Sequence, residues 1–335
     1  TAVLYQQGLL RLEEEGFKIE GYVDSDPKKQ GNLIGTKKIF KPEALCKMEN
    51  VCVLICSIRE EVLHDVKSKL ETMNIEHYFL DEIILKNHSK EVLSCYDMLT
   101  DDKSRKIYAG IIKWRLTGCK TNYPVDIAND YFVLNNFRNL DSEEVFVDCG
   151  AYIGDTISDY CKLKRNNFRK IIAFEADEIT YGKLEKNVSQ INVKYGLTSQ
   201  QIVIHNCAVA DKMGKVVFSR YENNNGEGSK ITDYENEGNC KVVCLDEYLK
   251  EPYTFLKADI ESFEYRMLQG ARRGIIEYKP KLAICIYHSS IDLYSIPMLI
   301  KELVPDYKLA IRHHANDLTG TVLYAWREEE LTIEG

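Results

Sequence analysis

The residues able to do chemistry in this chain stand where its apolar runs stop. In the second half, Val145-Phe146-Val147 meets Asp148 and then a turn carrying Gly150 and Gly154. Later runs stop at Glu175 and Asp177, at Asn206 to Ala208, at Asp259 with Glu261 and Glu264, at His288, and at His313 with His314. In an open α/β sheet ligands bind beyond the carboxyl ends of the strands, so these positions form one polar rim if the runs are strands. A histidine has an ordinary pKa near working pH, which makes His288 the first candidate for a general base, with Asp259 as the second or as its orienting partner. Asp259, Glu261 and His288 also make an alternative set for a divalent cation that acidifies a hydroxyl; metal is placed second, and none is assigned.

The glycine turn narrows the ligand. A strand that stops at glycines and opens a helix can present backbone N–H groups to a nucleotide. The segment DCGAYIG lacks the G-x-G-x-x-G spacing that receives a pyrophosphate, and it puts a carboxylate, Asp148, beside the ligand. That acid would repel pyrophosphate and suits a cation such as the amino group of S-adenosylmethionine. Glu175, about 20 residues beyond Gly154, stands where a ribose diol needs a bidentate acceptor. Structural readings run alongside: Glu175 as a helix N-terminal acid, Asp259 as a cap, Glu261 and Glu264 as an acidic first turn, His288 as a buried histidine. For His313 and His314 the structural reading is preferred.

The elements that must position these groups fall in two parts. The 335 residues suffice for two domains, and 44% hydrophobic content is that of a globular chain. A formal charge of −8, with acids and bases interleaved, argues against nucleic acid or an anionic membrane and for small-molecule partners. The 11 cysteines include no CxxC, which indicates neither a zinc module nor a disulfide framework; Cys52, Cys56 and Cys285 are expected as small core residues of a reducing compartment. No run of about 18 apolar residues and no secretory signal is seen, so a cytoplasmic location is expected.

Residues 2 to 15 read as an amphipathic helix closed by Gly16, followed by strand-like FKIEGYVDSDP, NLIGTKKIF and VCVLICS, a helix from Arg59 to Met73, and HYFL. Residues 1–90 are expected to be a smaller Rossmann-like α/β domain and 91–130 a helical linker, in which DDKSRKIYAGIIKWRLTG opens on an acidic pair and ends at a glycine cap. Residues 131–330 then alternate strand and helix, with a β-rich insertion from Lys215 to Cys244, a loop tip at 222–228, a helix near 292 to 303, and a closing hairpin of YKLAIRHH and TVLYAW.

The first part, where GYVDSDP follows the first helix, resembles the small Rossmann-like domain of nucleotide-sugar-modifying proteins; the glycine turn that would precede it is not in the sequence, so no nucleotide is assigned to it. The second part is similar to the FkbM family of S-adenosylmethionine-dependent O-methyltransferases over roughly residues 130 to 326. The resemblance is carried by EVFVDCGAYIGDT, IIAFEAD, AVAD, LKADIESFEYRMLQGA, LAICIYH and TVLYA, in that order. It implies a class I methyltransferase fold, a seven-stranded doubly wound sheet whose last strand is antiparallel. It also implies that the cofactor is held by Asp148, Gly150, Ala151, Tyr152, Gly154, Thr156, Glu175, Asn206, Ala208 and Asp259. Of these, Asp148 and Gly150 take the methionine end, Glu175 the ribose and the Asn206 region the adenine, while the segment of Tyr131 closes over them.

The expectation is an enzyme that methylates a hydroxyl of a small molecule, sugar or surface glycan. The alternatives are a noncatalytic nucleotide-sugar or cofactor-binding module and an NAD-dependent oxidoreductase. The first domain is expected to serve acceptor recognition, an oligomer contact, or neither.

Overall fold

The structure, a computed structural model, describes residues 6–57, 59–126, 131–139, 141–219, 230–234 and 238–328. The loop tip expected at 222–228 lies outside them. The first part holds α1 (Gln6–Glu14), β1 (Tyr22–Val23), β2 (Leu33–Ile34), β3 (Lys37–Phe40), β4 (Cys52–Ile55), α2 (Glu60–Thr72), β5 (Glu76–Phe79) and α3 (Leu80–Asn87). Then come α4 (Ser89–Met98) and α5 (Asp102–Thr117). The second part runs β6 (Val145–Cys149), α6 (Asp155–Lys164), β7 (Lys170–Glu175), α7 (Glu178–Tyr195), β8 (Ile202–Asn206), β9 (Ala208–Val209), β10 (Gly214–Ser219), β11 (Lys230–Tyr234), β12 (Cys240–Val243) and α8 (Leu245–Tyr248). It closes with β13 (Phe255–Ala258), α9 (Glu264–Gly270), α10 (Arg272–Tyr278), β14 (Lys281–Cys285), α11 (Asp292–Leu303), β15 (Lys308–His313) and β16 (Thr321–Trp326).

The main sheet has seven strands in the order β15-β16-β14-β13-β6-β7-β8. β6, β7, β8, β13 and β14 are parallel, and β16 inserts antiparallel between β14 and β15. Strand alternation sorts the core onto two faces: Val145, Val147 and Cys149 join one hydrophobic cluster, while Phe146 joins another with Tyr160, Phe137 and Phe255. The expected strand QIVIHNCAVAD is two. Cys207 bends the chain after β8, and β9 leaves the main sheet to pair with β12 in a second one.

Capping residues explain the longer helices. Asp101 accepts from Ser104 N at 2.8 Å to start α5, and Gly118, at φ 68, ends it. Asp177 accepts from Ile179 N at 3.1 Å to start α7. The helix α10 was not foreseen, because Gly270 reads as a stop. That glycine instead serves close packing: a Cβ there would lie 2.1 Å from the Ala210 carbonyl oxygen.

The first part shares its core with the sheet. Leu9 and Leu12 of α1, Leu80 and Ile84 of α3, and Val92 and Cys95 of α4 lie in the same cluster as Val147 and Ile284. Its β4–β5 pair carries a small cluster of its own under α2, with Leu45, Ile55, Leu63 and Leu70. Cys285 is buried as expected, Cys56 is half-buried, and Cys52, expected in the core, is exposed because it starts β4 on the solvent side of this two-stranded pair. No helix among the described residues is long and apolar enough to cross a membrane.

At the amino end of the sheet Glu144, fully buried, accepts from Tyr160 Oη at 2.7 Å, pairs with Lys164 Nζ at 2.6 Å, and pairs with Lys281 through its other oxygen. Burial alone would raise its pKa, but Lys281 and Lys164 outweigh it and hold the carboxyl below the ordinary value. Glu144→Gln should therefore cost about 3–5 kcal/mol in urea unfolding, since two ammonium groups lose their partner. The wild-type contribution is complete above the unfolded carboxylate pKa and is lost as pH falls through the lower folded value; the variant's stability should fall less on acidification.

Candidate active site

The site is built on the turn after β6. Gly150 has φ 82, and a Cβ on it would stand 1.9 Å from the Asp259 carbonyl oxygen, so only glycine lets this turn lie against the end of β13. Gly150 N and Ala151 N both donate to the Phe174 carbonyl, at 3.0 and 2.9 Å, and Tyr152 N donates to Glu175 Oε2 at 2.9 Å. Tyr152 takes a left-handed φ of 49 to do so. Asn187 Nδ2 pins the far side by donating to the Ile153 carbonyl at 2.8 Å. The amides of residues 150 to 152 are thus committed to β7. The turn offers a shaped edge rather than a row of donors for phosphate.

Asp148 points inward. It is fully buried, and its Oδ1 lies 2.9 Å from Lys257 Nζ, which also donates to the Gly150 carbonyl at 2.7 Å. Burial works against the ammonium, but Asp148 and Asp259 more than offset it and raise its pKa. The carboxylate expected to meet a cofactor cation is therefore already matched by a cation of the protein itself. Lys257 was not singled out from the sequence. The signal was there: a lysine inside the otherwise apolar run of β13, buried among Phe255, Leu256 and Ala258, must have a counter-charge.

Glu175 ends β7, partly buried, with Oε1 accepting from Asp177 N at 2.8 Å and Oε2 from Tyr152 N. Burial raises its pKa to about 7 against the pull of these two amides. Asn206, exposed at the end of β8, donates to the Glu175 carbonyl at 3.0 Å, and Ala208 is buried on β9. Thr156 lies buried in the first turn of α6, which Gly154 opens at φ 86.

Across the turn, two tyrosine hydroxyls hold Asp259: Tyr131 donates to Oδ2 and Tyr287 to Oδ1, each at 3.0 Å. His288 Nε2 lies 3.4 Å from Asp259 Oδ1 and 3.7 Å from Glu261 Oε2, and its Nδ1 lies 3.2 Å from Glu264 Oε1. Burial would lower the histidine's pKa, yet Glu264 first, then Asp259 and Glu261, push it up to about 10. Asp259 is shifted the other way: burial would raise it, but His288 and Lys257 hold it below the ordinary carboxylate range. The carboxylate neighbours stabilise the charged form of the imidazole. The side chains of Asp259 and Glu261 are 27% and 37% exposed and reach the rim, whereas His288 and Glu264, at 2% and 0%, lie beneath.

Glu264 is therefore more than an acid of a helix first turn: its Oε1 accepts from Ile260 N at 2.7 Å and its carboxylate faces the histidine. Asp292, also missed, accepts from Ser289 N at 2.9 Å and is pushed up to about 7 by burial and by the charge of Glu264. Glu261 and Ser262 sit at φ 54 and 77, two successive left-handed residues without glycine, so backbone strain is concentrated beside Asp259. His313 bonds Thr321 Oγ1 at 2.8 Å across the closing hairpin, and His314 bonds the Asp126 carbonyl at 2.7 Å.

Residues 148–306, which span this rim, match the family described as Methyltransferase FkbM domain. Among solved structures, a methyltransferase FkbM from Methylobacillus flagellatus KT aligns at a TM-score of 0.59 and 22% identity, covering 92% of this chain and 84% of that one, which shows a shared fold. An rRNA methylase from Streptococcus thermophilus aligns at 0.35 and 16% identity over 57% of this chain and 90% of that one. Fibrillarin from Aeropyrum pernix, in complex with S-adenosyl-L-methionine, aligns at 0.36 and 13% identity over 55% and 66%. These last two likenesses carry no weight. No curated protein sequence matches the chain. The sheet order, the turn on β6 and the likeness of residues 148–306 to the Methyltransferase FkbM domain agree, and the chain is an S-adenosylmethionine-dependent methyltransferase.

Proposed function

We propose that the protein is an O-methyltransferase acting on a hydroxyl of a small molecule, sugar or surface glycan. The observation that carries this reading is the contact of Gly150 with the Asp259 carbonyl, which sets a cofactor turn directly against a tyrosine-bound carboxylate. S-adenosylmethionine supplies an electrophilic methyl group on a sulfonium. The residues fit that group: the amides of 150 to 152 are already bonded, which disfavours a pyrophosphate, and Glu175 is oriented by two amides with its carboxylate partly open.

In this reading Gly150, Ala151, Tyr152, Gly154 and Thr156 shape the methionine edge, Glu175 accepts from the ribose hydroxyls, and Asn206 with Ala208 borders the adenine. Asp148 acts through Lys257, bracing the turn instead of touching the cofactor. Tyr131 covers the reacting end. In-line displacement requires the acceptor oxygen to be aligned with the methyl and its proton removed. The rim carboxylates Asp259 and Glu261 orient that hydroxyl and receive the proton, while His288 holds the carboxylates together from below. The net charge of −8 suits an uncharged acceptor such as a sugar.

Calorimetric titration should show S-adenosylhomocysteine binding, and Glu175→Gln should weaken it by about 1–3 kcal/mol, the scale of a lost charged hydrogen-bond acceptor. Because Glu175 titrates near 7, wild-type affinity should be higher at pH 8, where it is ionised, than at pH 6, and the variant should lose that dependence. Tight NADH binding without any response to S-adenosylhomocysteine would sink the reading.

Gly150→Ala should also abolish cofactor binding and lower stability by about 1–3 kcal/mol, the cost of forcing an atom into filled space. Mass analysis of candidate glycans and small alcohols after incubation with S-adenosylmethionine tests the acceptor class: a single added methyl on oxygen is expected. Methylation only of amines or of nucleic acid would overturn the class.

A further inference from the structure

The group beneath the rim is unusual in what it leaves unpaired. Both ring nitrogens of His288 are buried without a hydrogen bond, and so is Glu264 Oε2, on side chains 2% and 0% exposed. One donor atom each from Asp259, Glu264 and His288 lies within 4.8 Å of the other two. The imidazole-to-carboxylate separations of 3.2, 3.4 and 3.7 Å are longer than the roughly 2.7–2.9 Å of a charge-assisted hydrogen bond. Asp259 faces Nε2 and Glu264 faces Nδ1, so an ion takes one ring nitrogen and draws in one oxygen of each carboxylate from within the 4.8 Å grouping.

Charge points the same way. Four carboxylates, Asp259, Glu261, Glu264 and Asp292, surround one imidazole, and Lys257 is spent on Asp148 and the Gly150 carbonyl. The oxygens of Asp259 are held in place by Tyr131 and Tyr287, and Glu264 by Ile260 N, the kind of outer support that fixes ligand carboxylates.

We infer that Asp259, Glu264 and His288 form a binding site for one divalent cation, with Mn²⁺ favoured over Mg²⁺ because one donor is an imidazole nitrogen. Binding at Asp259 puts the ion at the floor of the rim. Its use there rests on the methyl-transfer reading: a cation coordinating the acceptor oxygen acidifies the hydroxyl, and Glu261, outside the ligand set, takes the proton.

The site itself is tested without acceptor or cofactor. Electron paramagnetic resonance of free Mn²⁺ titrated with the full chain should show one saturable site, and Mn²⁺ should raise the melting temperature of the wild type. Asp259→Asn, Glu264→Gln and His288→Gln should each weaken binding by at least about tenfold. Wild-type protein that takes up no Mn²⁺ and shows no thermal shift overturns the site, whether or not the buried variants fold. Equal Mn²⁺ binding by wild type and folded variants overturns it too, since the ion would then sit on surface carboxylates. S-adenosylhomocysteine binding measured with chelator present separates this outcome from a failure of the methyltransferase reading.

Discussion

A buried ammonium governs this site. Lys257 comes from the centre of the sheet, meets Asp148 at the end of the neighbouring strand, and donates to the Gly150 carbonyl. Taking two charges out of water is expensive: Lys257 lies 2.9 Å from Asp148 Oδ1 and donates to the turn, yet burial outweighs its pull and raises the Asp148 pKa. The turn after β6 is thereby fixed from below by Lys257, from one side by the amide bonds to β7, and from the other by the Asp259 carbonyl. A turn held in three directions has little freedom to rearrange.

The same ammonium conditions the acid cluster. Asp259 lies between Lys257 and His288, and both favour its ionised form, while its two oxygens are oriented by tyrosines. Further from Lys257 the balance reverses: Glu261, Glu264 and Asp292 crowd one imidazole, so the histidine keeps its proton and Asp292 is pushed toward neutrality. Concentrating charge and left-handed backbone at residues 259 to 264 is costly for folding. Such strain persists when the surrounding structure over-determines it, here through β13, β14 and the first turn of α9.

The strand ends were legible because parallel buried strands read as continuous apolar runs and stop at polar residues; Asp148, Glu175, Asp259 and His288 all lie at or just past such stops. The helix expected near 292 to 303 has those bounds. Direction was not legible. Asp148 and His288 look like rim groups by position, yet both face the interior, since a carboxylate's or imidazole's partner comes from another strand that sequence spacing does not identify. Glu264 carries two readings in the sequence, a rim group and a helix-start acid, and nothing in its spacing shows that it faces a histidine from beyond the end of another strand. Gly270 was read as a stop for want of any sign that Ala210 approaches it.

The first part of the chain reaches the same site through Asp81 and its partner Arg115. Arg115 of α5 is 3% exposed; it donates to Asp81 Oδ2 of α3 at 2.9 Å and to the Tyr287 carbonyl at 2.6 Å, and Tyr287 in turn donates to Asp259. A buried guanidinium bonded to a buried carboxylate through one nitrogen and to a carbonyl through another has little freedom, so that carbonyl, just past the end of β14, is fixed with it. Tyr287 and His288 therefore stand on a segment anchored at both ends, by the sheet on one side and by the ion pair of α3 and α5 on the other. The helices between the two parts are in this respect a wall of the site: α5 packs along β15, and Leu99, just after α4, bridges to Leu309. The position of the acid cluster depends on residues from the start of the chain as directly as on the strands that carry it.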